Sequence, residues 1–573
     1  MEAKKKSAII SLILLSAALS NAQPATLWSR CLGGSDRDYA YSIRQTFVED
    51  FIVAGYSFSN DGDVAGNHGN GDYLVARLNL SGEIEWQRCL GGTNDDLAYS
   101  IEQTEDCGFI IAGYTNSNDF DVSGWHVGYS IFGLATYDYW IVKLNPAGAI
   151  EWQRCLGGSG ADYAKHIQPT GDGGYIVAGE SYSNDGDVSG WHEGYDLFGV
   201  PTFDYWVAKL SSTGDLEWQR CLGGSNEETA FSIQQTSDGG FIIAGNSWSD
   251  DGDVSGNHGK SDYWIVKLSV SGSTEWQRCF GGTNEDYAHS IKQTSDGGYI
   301  IAGFSNSNDG DVTGWHVGYD ISGTIAYSDC WIVKLDSSGA IAWQCCLGGS
   351  LFDEAYSIQQ TADGGYIVAG NSGSVDGDVS GIHGSGDYWI AKLDTCGSII
   401  WQLCLGGSGV ENAYSVHETT DKGFAIAGYT TSDDGDVSGT HGSTDLWIVR
   451  LSPETSVEEA SAVPEHFSIS AFPNPFNSAV TISLDVPVGA GLRPARVEIF
   501  DLSGRRIAQL PSPSVPLPAG EGGNSFSLWE KVSEGRMRAE FTWQPDASIG
   551  SGVYLVRVNI DGTNATKRVV YLK

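Results

Sequence analysis

Residues Trp218–Glu275, WQRCLGGSNEETAFSIQQTSDGGFIIAGNSWSDDGDVSGNHGKSDYWIVKLSVSGSTE, form one copy of a unit that recurs through most of the chain. The opening Trp stands at positions 28, 86, 152, 218, 276, 343 and 401, at spacings of 58, 66, 66, 58, 67 and 58 residues. A fixed period of this size marks a repeat architecture, each copy being one supersecondary unit. Within the quoted copy, four runs with strand character are separated by Gly-, Asp-, Asn- and Ser-rich turns: Phe231–Thr236, Phe241–Ser247, Tyr263–Leu268 and Thr274–Phe280. Tight turns such as Ser-Asp-Gly-Gly suit hairpins, because Gly supplies positive φ. Four short antiparallel strands repeated radially make a propeller blade.

The ends of the repeat carry the count. First, second and third strands occur seven times, the last third strand being Leu446–Leu451, but only six third strands are followed by a fourth. The seventh fourth strand is Thr26–Leu32, at the N-terminal end, where it has no sheet of its own. Pairing it with the last sheet would leave no edge open. The expected fold is therefore all-β, a seven-bladed β-propeller over 23–451 closed by the N-terminal strand. The third-strand Trp residues (140, 206, 264, 331, 389 and 447) are expected to pack between neighbouring sheets.

Residues 1–22 read as a signal peptide: Lys4-Lys5-Lys6, an apolar run Ala8–Leu19 and the small-residue end Ser20-Asn21-Ala22. This implies a secreted protein, either released or attached to the outer cell surface. No later stretch reaches membrane-spanning length, so no integral membrane segment is expected. A formal charge of −40 argues against nucleic acid and anionic membranes as partners, since both need basic patches.

In a propeller the second-to-third and fourth-to-first loops share one face, and here they hold everything long, variable or charged. The fourth-to-first loop ends in an acid two residues before an Ala: Asp38, Asp96, Asp162, Glu228, Asp286, Asp353 and Glu411. The second-to-third loop carries paired Asp residues, Asp61/Asp63, Asp119/Asp121, Asp185/Asp187, Asp251/Asp253, Asp309/Asp311, Asp376/Asp378 and Asp434/Asp436. Two readings stay open for them. Alternate Asp residues around Gly resemble the start of a calcium loop, although no terminal bidentate Glu follows. The same residues also cap turns with side-chain to backbone hydrogen bonds. The loop ends in His68, His126, His192, His258, His316, His383 or His441; one His per repeat cannot form a compact tetrahedral site.

Three of these loops are enlarged, adding Trp125 and Tyr129, Trp191 and Tyr195, and Trp315 and Tyr319. Aromatic side chains beside acids suit stacking on a sugar ring or gripping a peptide, and they serve equally as small cores under long loops. No Gly-x-Ser-x-Gly elbow, HExxH or phosphate loop occurs. The expected function is a non-catalytic scaffold that binds a polysaccharide, peptide or protein through its acidic face. The alternatives are a polysaccharide-active enzyme with carboxylates in the propeller funnel, and a purely structural surface or adhesion protein.

Seven of the eleven Cys (31, 89, 155, 221, 279, 346 and 404) share one fourth-strand position and read as small buried residues. Cys330 replaces the third-strand Tyr and Cys345 replaces the usual fourth-strand Arg, across a turn at Ser337-Ser338. A cross-strand disulfide between Cys330 and Cys345 is therefore expected. Cys107 and Cys396 fall in turns without an evident partner.

After an acidic, Pro-containing linker (452–466), residues 467–573 alternate in short runs that suggest a small antiparallel sandwich. Pro473-Asn474-Pro475-Phe476-Asn477, Asp501-Leu502-Ser503-Gly504-Arg505, Ser551-Gly552-Val553-Tyr554 and the final Lys573 resemble the C-terminal sorting domain of type IX secretion in Gram-negative bacteria. That family is similar to an Ig-like hook-capping module. The resemblance implies an Ig-like fold, recognition by the type IX machinery, and passage through the outer membrane. Repeats worded WQ…LGGS…DGGYI…AG…DGDV…DYWIVKL are similar to those of proteins bearing such tags. Residues 511–538, rich in Pro, Gly and Ser, read as a low-complexity loop inserted into this domain, and 489–494 as a smaller insertion.

Overall fold

Second and third strands of the repeat are apolar on both faces, which requires a neighbour on each side of every sheet. The computed structural model describes residues 23–316, 327–454, 468–472, 478–487, 496–501, 505–510, 525–526, 530–533, 536–545, 548–549, 551–560, 563–571 and 573. Every regular element among them is a β-strand. The chain divides into two compact units, Met1–Val457 and Glu458–Lys573.

The first unit contains seven four-stranded antiparallel sheets, a propeller-like arrangement. Sheet I runs Asp38–Gln45, Phe51–Ser57, Asp72–Leu78, Ile84–Leu90, and sheets II to VI repeat that order. In sheet IV the strands are Glu228–Gln235, Phe241–Ser247, Asp262–Leu268 and Thr274–Phe280. The first and third thus begin at an acid that the apolar pattern alone passes over. Sheet VII is Glu411–Glu418, Phe424–Thr430 and Asp445–Leu451, with Thr26–Leu32 as its fourth strand, Trp28 opposite Arg450 and Leu32 opposite Leu446.

The core lies between sheets. One cluster joins Ile176, Tyr205 and Val207 of sheet III to Phe241, Ile243 and Trp264 of sheet IV, all buried. Another joins Ala425, Leu446 and Ile448 of sheet VII to Ala40, Val53 and Leu74 of sheet I. Trp140, Trp206, Trp264, Trp331, Trp389 and Trp447 are almost fully buried, as packing between sheets demands. Most are locked by a Tyr of the preceding sheet. The Tyr205 and Trp264 rings lie 4.5 Å apart, and the Tyr205 hydroxyl donates to the Trp264 carbonyl at 3.0 Å. Cys330 and Leu446 stand where this Tyr would be, so the joints of sheet V with VI and of sheet VII with I lack that lock.

The expected disulfide is corrected. All eleven cysteines are free, and the register sets Cys330 opposite Leu347 and Cys345 opposite Ile332. The register, set by a turn centred on Ser338 together with a bulge at Leu335, places the two residues diagonally instead of facing.

In the second unit, one sheet is ordered Ser468–Phe472, Val480–Pro487, Arg536–Trp543, Ser525–Phe526, with Glu530–Ser533 also on Arg536–Trp543. The other is ordered Arg506–Leu510, Arg496–Asp501, Gly552–Ile560, Thr563–Tyr571. Val480, Ile482 and Trp543 of the first share a core with Val497, Ile499, Val556 and Val569 of the second. The segment expected as an inserted loop contributes strand: Arg536–Arg538 pair with Asp485–Pro487, carried by the alternation Arg-Met-Arg-Ala-Glu-Phe-Thr-Trp. Residues 1–22, expected as a signal peptide, most of the expected linker, Pro473–Asn477 and Leu502–Gly504 lie outside the described residues.

Burial raises the thiols of Cys31, Cys89 and Cys404 to about 12, and only Cys107 and Cys396 are exposed. An aromatic disulfide reagent at pH 8 should therefore modify two thiols in the native protein and all eleven after denaturation without reductant. A denatured count of nine would restore a disulfide.

Candidate functional site

The acid at the head of each first strand is structural. Asp162, fully buried, accepts from Gly158 N–H at 2.9 Å, from the Ser183 hydroxyl at 2.9 Å and from the Ser181 hydroxyl. Glu228 repeats the arrangement with Gly224 at 2.8 Å and Ser247 at 2.7 Å. Burial pushes the Asp162, Asp96 and Glu228 carboxyls up to about 7 despite these donors.

The first Asp of each loop pair caps the adjoining loop. Asp185 accepts from Ser159 N–H at 2.7 Å, Asp61 from Ser35 and Asp434 from Ser408 at the same distance. Asp119, Asp251, Asp309 and Asp376 do likewise with Thr93, Ser225, Thr283 and Ser350. The backbone amide on Asp61 holds its exposed carboxyl below the usual range. The residue between the pair takes left-handed φ, +63° at Gly186 and +51° at Phe120, which explains the Gly in six copies.

The second Asp faces a His of the preceding sheet. His192 shares a hydrogen bond with Asp204 Oδ2 at 2.8 Å through Nδ1, and its Nε2 lies 3.7 Å from Asp253. Asp187, Asp311, Asp378 and Asp436 meet His126, His258, His316 and His383 at 3.8–4.0 Å. His441 of sheet VII reaches Asp63 of sheet I at 3.7 Å. The hydrogen bond to Asp138 raises the His126 pKa. These contacts tie each of sheets II to VI to the next, and sheet VII to sheet I. No group of three or more His, Cys, Asp or Glu among the described residues is arranged to hold a metal ion. Asp121 completes the series, its Oδ2 accepting from Gly91 N–H at 3.4 Å.

The enlarged loops stand on their Trp residues. The indole N–H of Trp125 donates to Thr136 O at 3.0 Å and that of Trp191 to Thr202 O at 2.9 Å, while Trp315 is buried. Trp125 and Trp191 are posts under their loops. Tyr129 and Tyr195 remain exposed, and beyond them the tips project Phe132 (72% exposed), Leu134 (68%), Leu197 (100%) and Phe198 (84%). Tyr319 lies outside the described residues.

A second candidate sits at the centre. First strands from all seven sheets line one cavity of about 560 Å³. Each of these strands carries a β-bulge at the same place, leaving Tyr41, Tyr99, Lys165, Phe231, His289, Tyr356 or Tyr414 unpaired and aimed inward. The repeated Ala-Gly opposite the bulge follows from this: a Cβ on Gly179 would stand 2.0 Å from Tyr163 O. The inward rings touch in succession. Tyr99 and Tyr41, and Tyr41 and Tyr414, lie 4.5 Å apart; Tyr414 and Tyr356, and Tyr356 and His289, 4.9 Å; His289 and Phe231, 4.8 Å. Lys165 extends the collar, 5.0 Å from the Tyr99 ring and paired with Glu180 at 3.3 Å.

Beyond the collar the repeat is broken by charge. The position two after the Ser reads Arg44, Glu102, Gln168, Gln234, Lys292, Gln359 and His417, all but Gln168 lining the cavity, and His166 replaces one Ser. Arg44 donates to Glu102 at 2.8 Å. Burial, then the Arg44 charge, lowers Lys292 to about 8; burial with Arg44 and Lys292 lowers His417 to about 3, and burial alone lowers His289 to about 4. The variable positions were visible in the sequence as the places where an otherwise constant first strand changes chemistry.

Neither a protein-family model nor a curated protein matches this chain.

A buried carboxyl with a raised folded pKa binds more protons folded than unfolded, so its contribution to stability falls as pH rises from about 4 to about 7 and is flat above. Asp162→Asn, which cannot titrate, should therefore trail the wild type most at pH 5 and least at pH 8, the gap narrowing by roughly 2–4 kcal/mol. Thermal melts of both proteins at the two pH values check this.

Proposed function

We propose that the chain is a secreted or cell-surface, non-catalytic scaffold whose seven blades form a closed ring. The pairing of Thr26–Leu32 with Asp445–Leu451, the cluster shared by sheets VII and I, and the His441–Asp63 contact support closure. The ring presents its long-loop face to an extracellular polysaccharide or protein. The observation that carries this reading is the set of exposed tips, Phe132, Leu134, Leu197 and Phe198, held out on loops that Trp125 and Trp191 brace. Large apolar side chains projected from rigid supports mark contact surfaces, since solvation alone gives no reason to keep them.

The triple variant Phe132→Ser, Leu197→Ser, Phe198→Ser should melt like the wild type, because these side chains are exposed. It should bind at least tenfold less to whichever member of a glycan and surface-protein panel the wild type retains. Cleavage of that member would favour the enzyme reading, and self-association without binding the structural one.

The second unit serves as the address read by the type IX machinery, an Ig-like module in this reading, supported by its separate core and the spaced motifs. A chain ending at residue 457 should accumulate inside a type IX-competent cell. Its appearance outside would remove the address reading.

A further inference from the structure

We infer that the central cavity binds a small ligand in which an oxyanion is joined to a ring, an acidic sugar unit being the chemical class. The inference is independent of the loop-face reading. The cavity, about 560 Å³, has the size of a small-molecule site. It is lined from the aromatic collar to Gln293 and Gln360 at the far ends of the first strands, and no residue before the bulge lines it. The collar is therefore its floor, and its mouth is on the tight-turn face, away from the acidic loops.

Charge sets the chemistry. In a chain of net −40, the wall beside the floor gathers Arg44, Lys292, His166 and His417 around a single acid, Glu102. Glu102 is already engaged by Arg44. The Lys292 ammonium makes no hydrogen bond or ion pair with any described residue; burial and then the nearby Arg44 charge depress its pKa, and the Glu102 charge only partly offsets them. Repulsion of this kind has no structural use, whereas an oxyanion relieves it and gains charge-assisted hydrogen bonds. His289 leaves Nε2 buried without a partner in the collar, a further donor or acceptor for a polar group on the ring. The aromatic collar lines the cavity floor and gives an apolar surface against which a sugar ring packs.

The charged and imidazole groups lining the cavity are Arg44, Glu102, Lys165, His166, His289, Lys292 and His417, beside the hydroxyls of Tyr41, Tyr99, Tyr356 and Tyr414, with Glu180 behind Lys165. The histidines are held neutral by burial, aided at His166 and His417 by the nearby cations, so an arriving anion draws protons onto them and binds more tightly as pH falls. Affinity also drops above about pH 8, where Lys292 loses its proton.

Glucuronate, inorganic phosphate and neutral methyl glucoside titrated calorimetrically into the full chain test the inference. Glucuronate should bind with proton uptake and more tightly than phosphate, which lacks the ring, and methyl glucoside should not bind. Lys292→Met should weaken glucuronate at least tenfold while melting no lower than the wild type, since no partner is orphaned. Glu102→Gln, which frees Arg44, should tighten it and covers the case in which Lys292→Met fails to fold. The loop-tip triple variant should bind glucuronate unchanged. Glucuronate that does not bind, or whose binding ignores both Lys292→Met and Glu102→Gln, overturns the inference.

Discussion

The buried carboxylate at the head of each first strand is the contact on which the remaining geometry rests. It gathers the Gly-Gly link from the preceding sheet and hydroxyls from its own second strand onto one group, as Asp162 does with Gly158, Ser181 and Ser183. A charge placed there without donors would be expelled. With them it pins the innermost strand at one end, and the bulge three residues later has a fixed start. Tyr41 and its counterparts then turn toward the shared cavity, which is why their rings meet in succession.

Between the sheets, two different contacts divide the task. Tyrosine hydroxyls grip the next sheet's tryptophan carbonyl deep in the wedge, and histidines bridge carboxylates near the loop face. The first is insensitive to pH and the second is not. A molecule braced by both keeps its architecture while its loop-side stiffness follows the protonation of the histidines.

Much of the architecture was legible because the repeat writes it seven times. Turn glycines and the alternation of Phe241–Ser247 set the strands, and the displaced Thr26–Leu32 set the count. Less was legible where a residue's role depends on a neighbour that the sequence does not align. Trp125 and Trp191 look like ligand-stacking groups until their indoles are found bonded beneath the loops, and Leu197 and Phe198 look like ordinary loop residues until they are found outermost. The inner cavity was hidden for another reason: a bulge inverts the facing of the residue it frees, so simple alternation assigns Lys165 or His289 to the wrong side. The diagonal placing of Cys330 and Cys345 was hidden for a related reason, since the turn centred on Ser338 and the bulge at Leu335 each shift the register by one residue.

The borrowed strand of sheet VII has a consequence for the life history of the chain. Thr26–Leu32 is synthesised first, yet its partner Asp445–Leu451 is made more than four hundred residues later. Sheets I to VI can each assemble as they emerge, but the seventh must wait for both ends of the unit. The seam it forms with sheet I also lacks the tyrosine grip, because Leu446 and Leu74 occupy those places. Completion of the seventh sheet therefore comes last, and its joint with sheet I is, with that of sheets V and VI, one of the two that lack the grip.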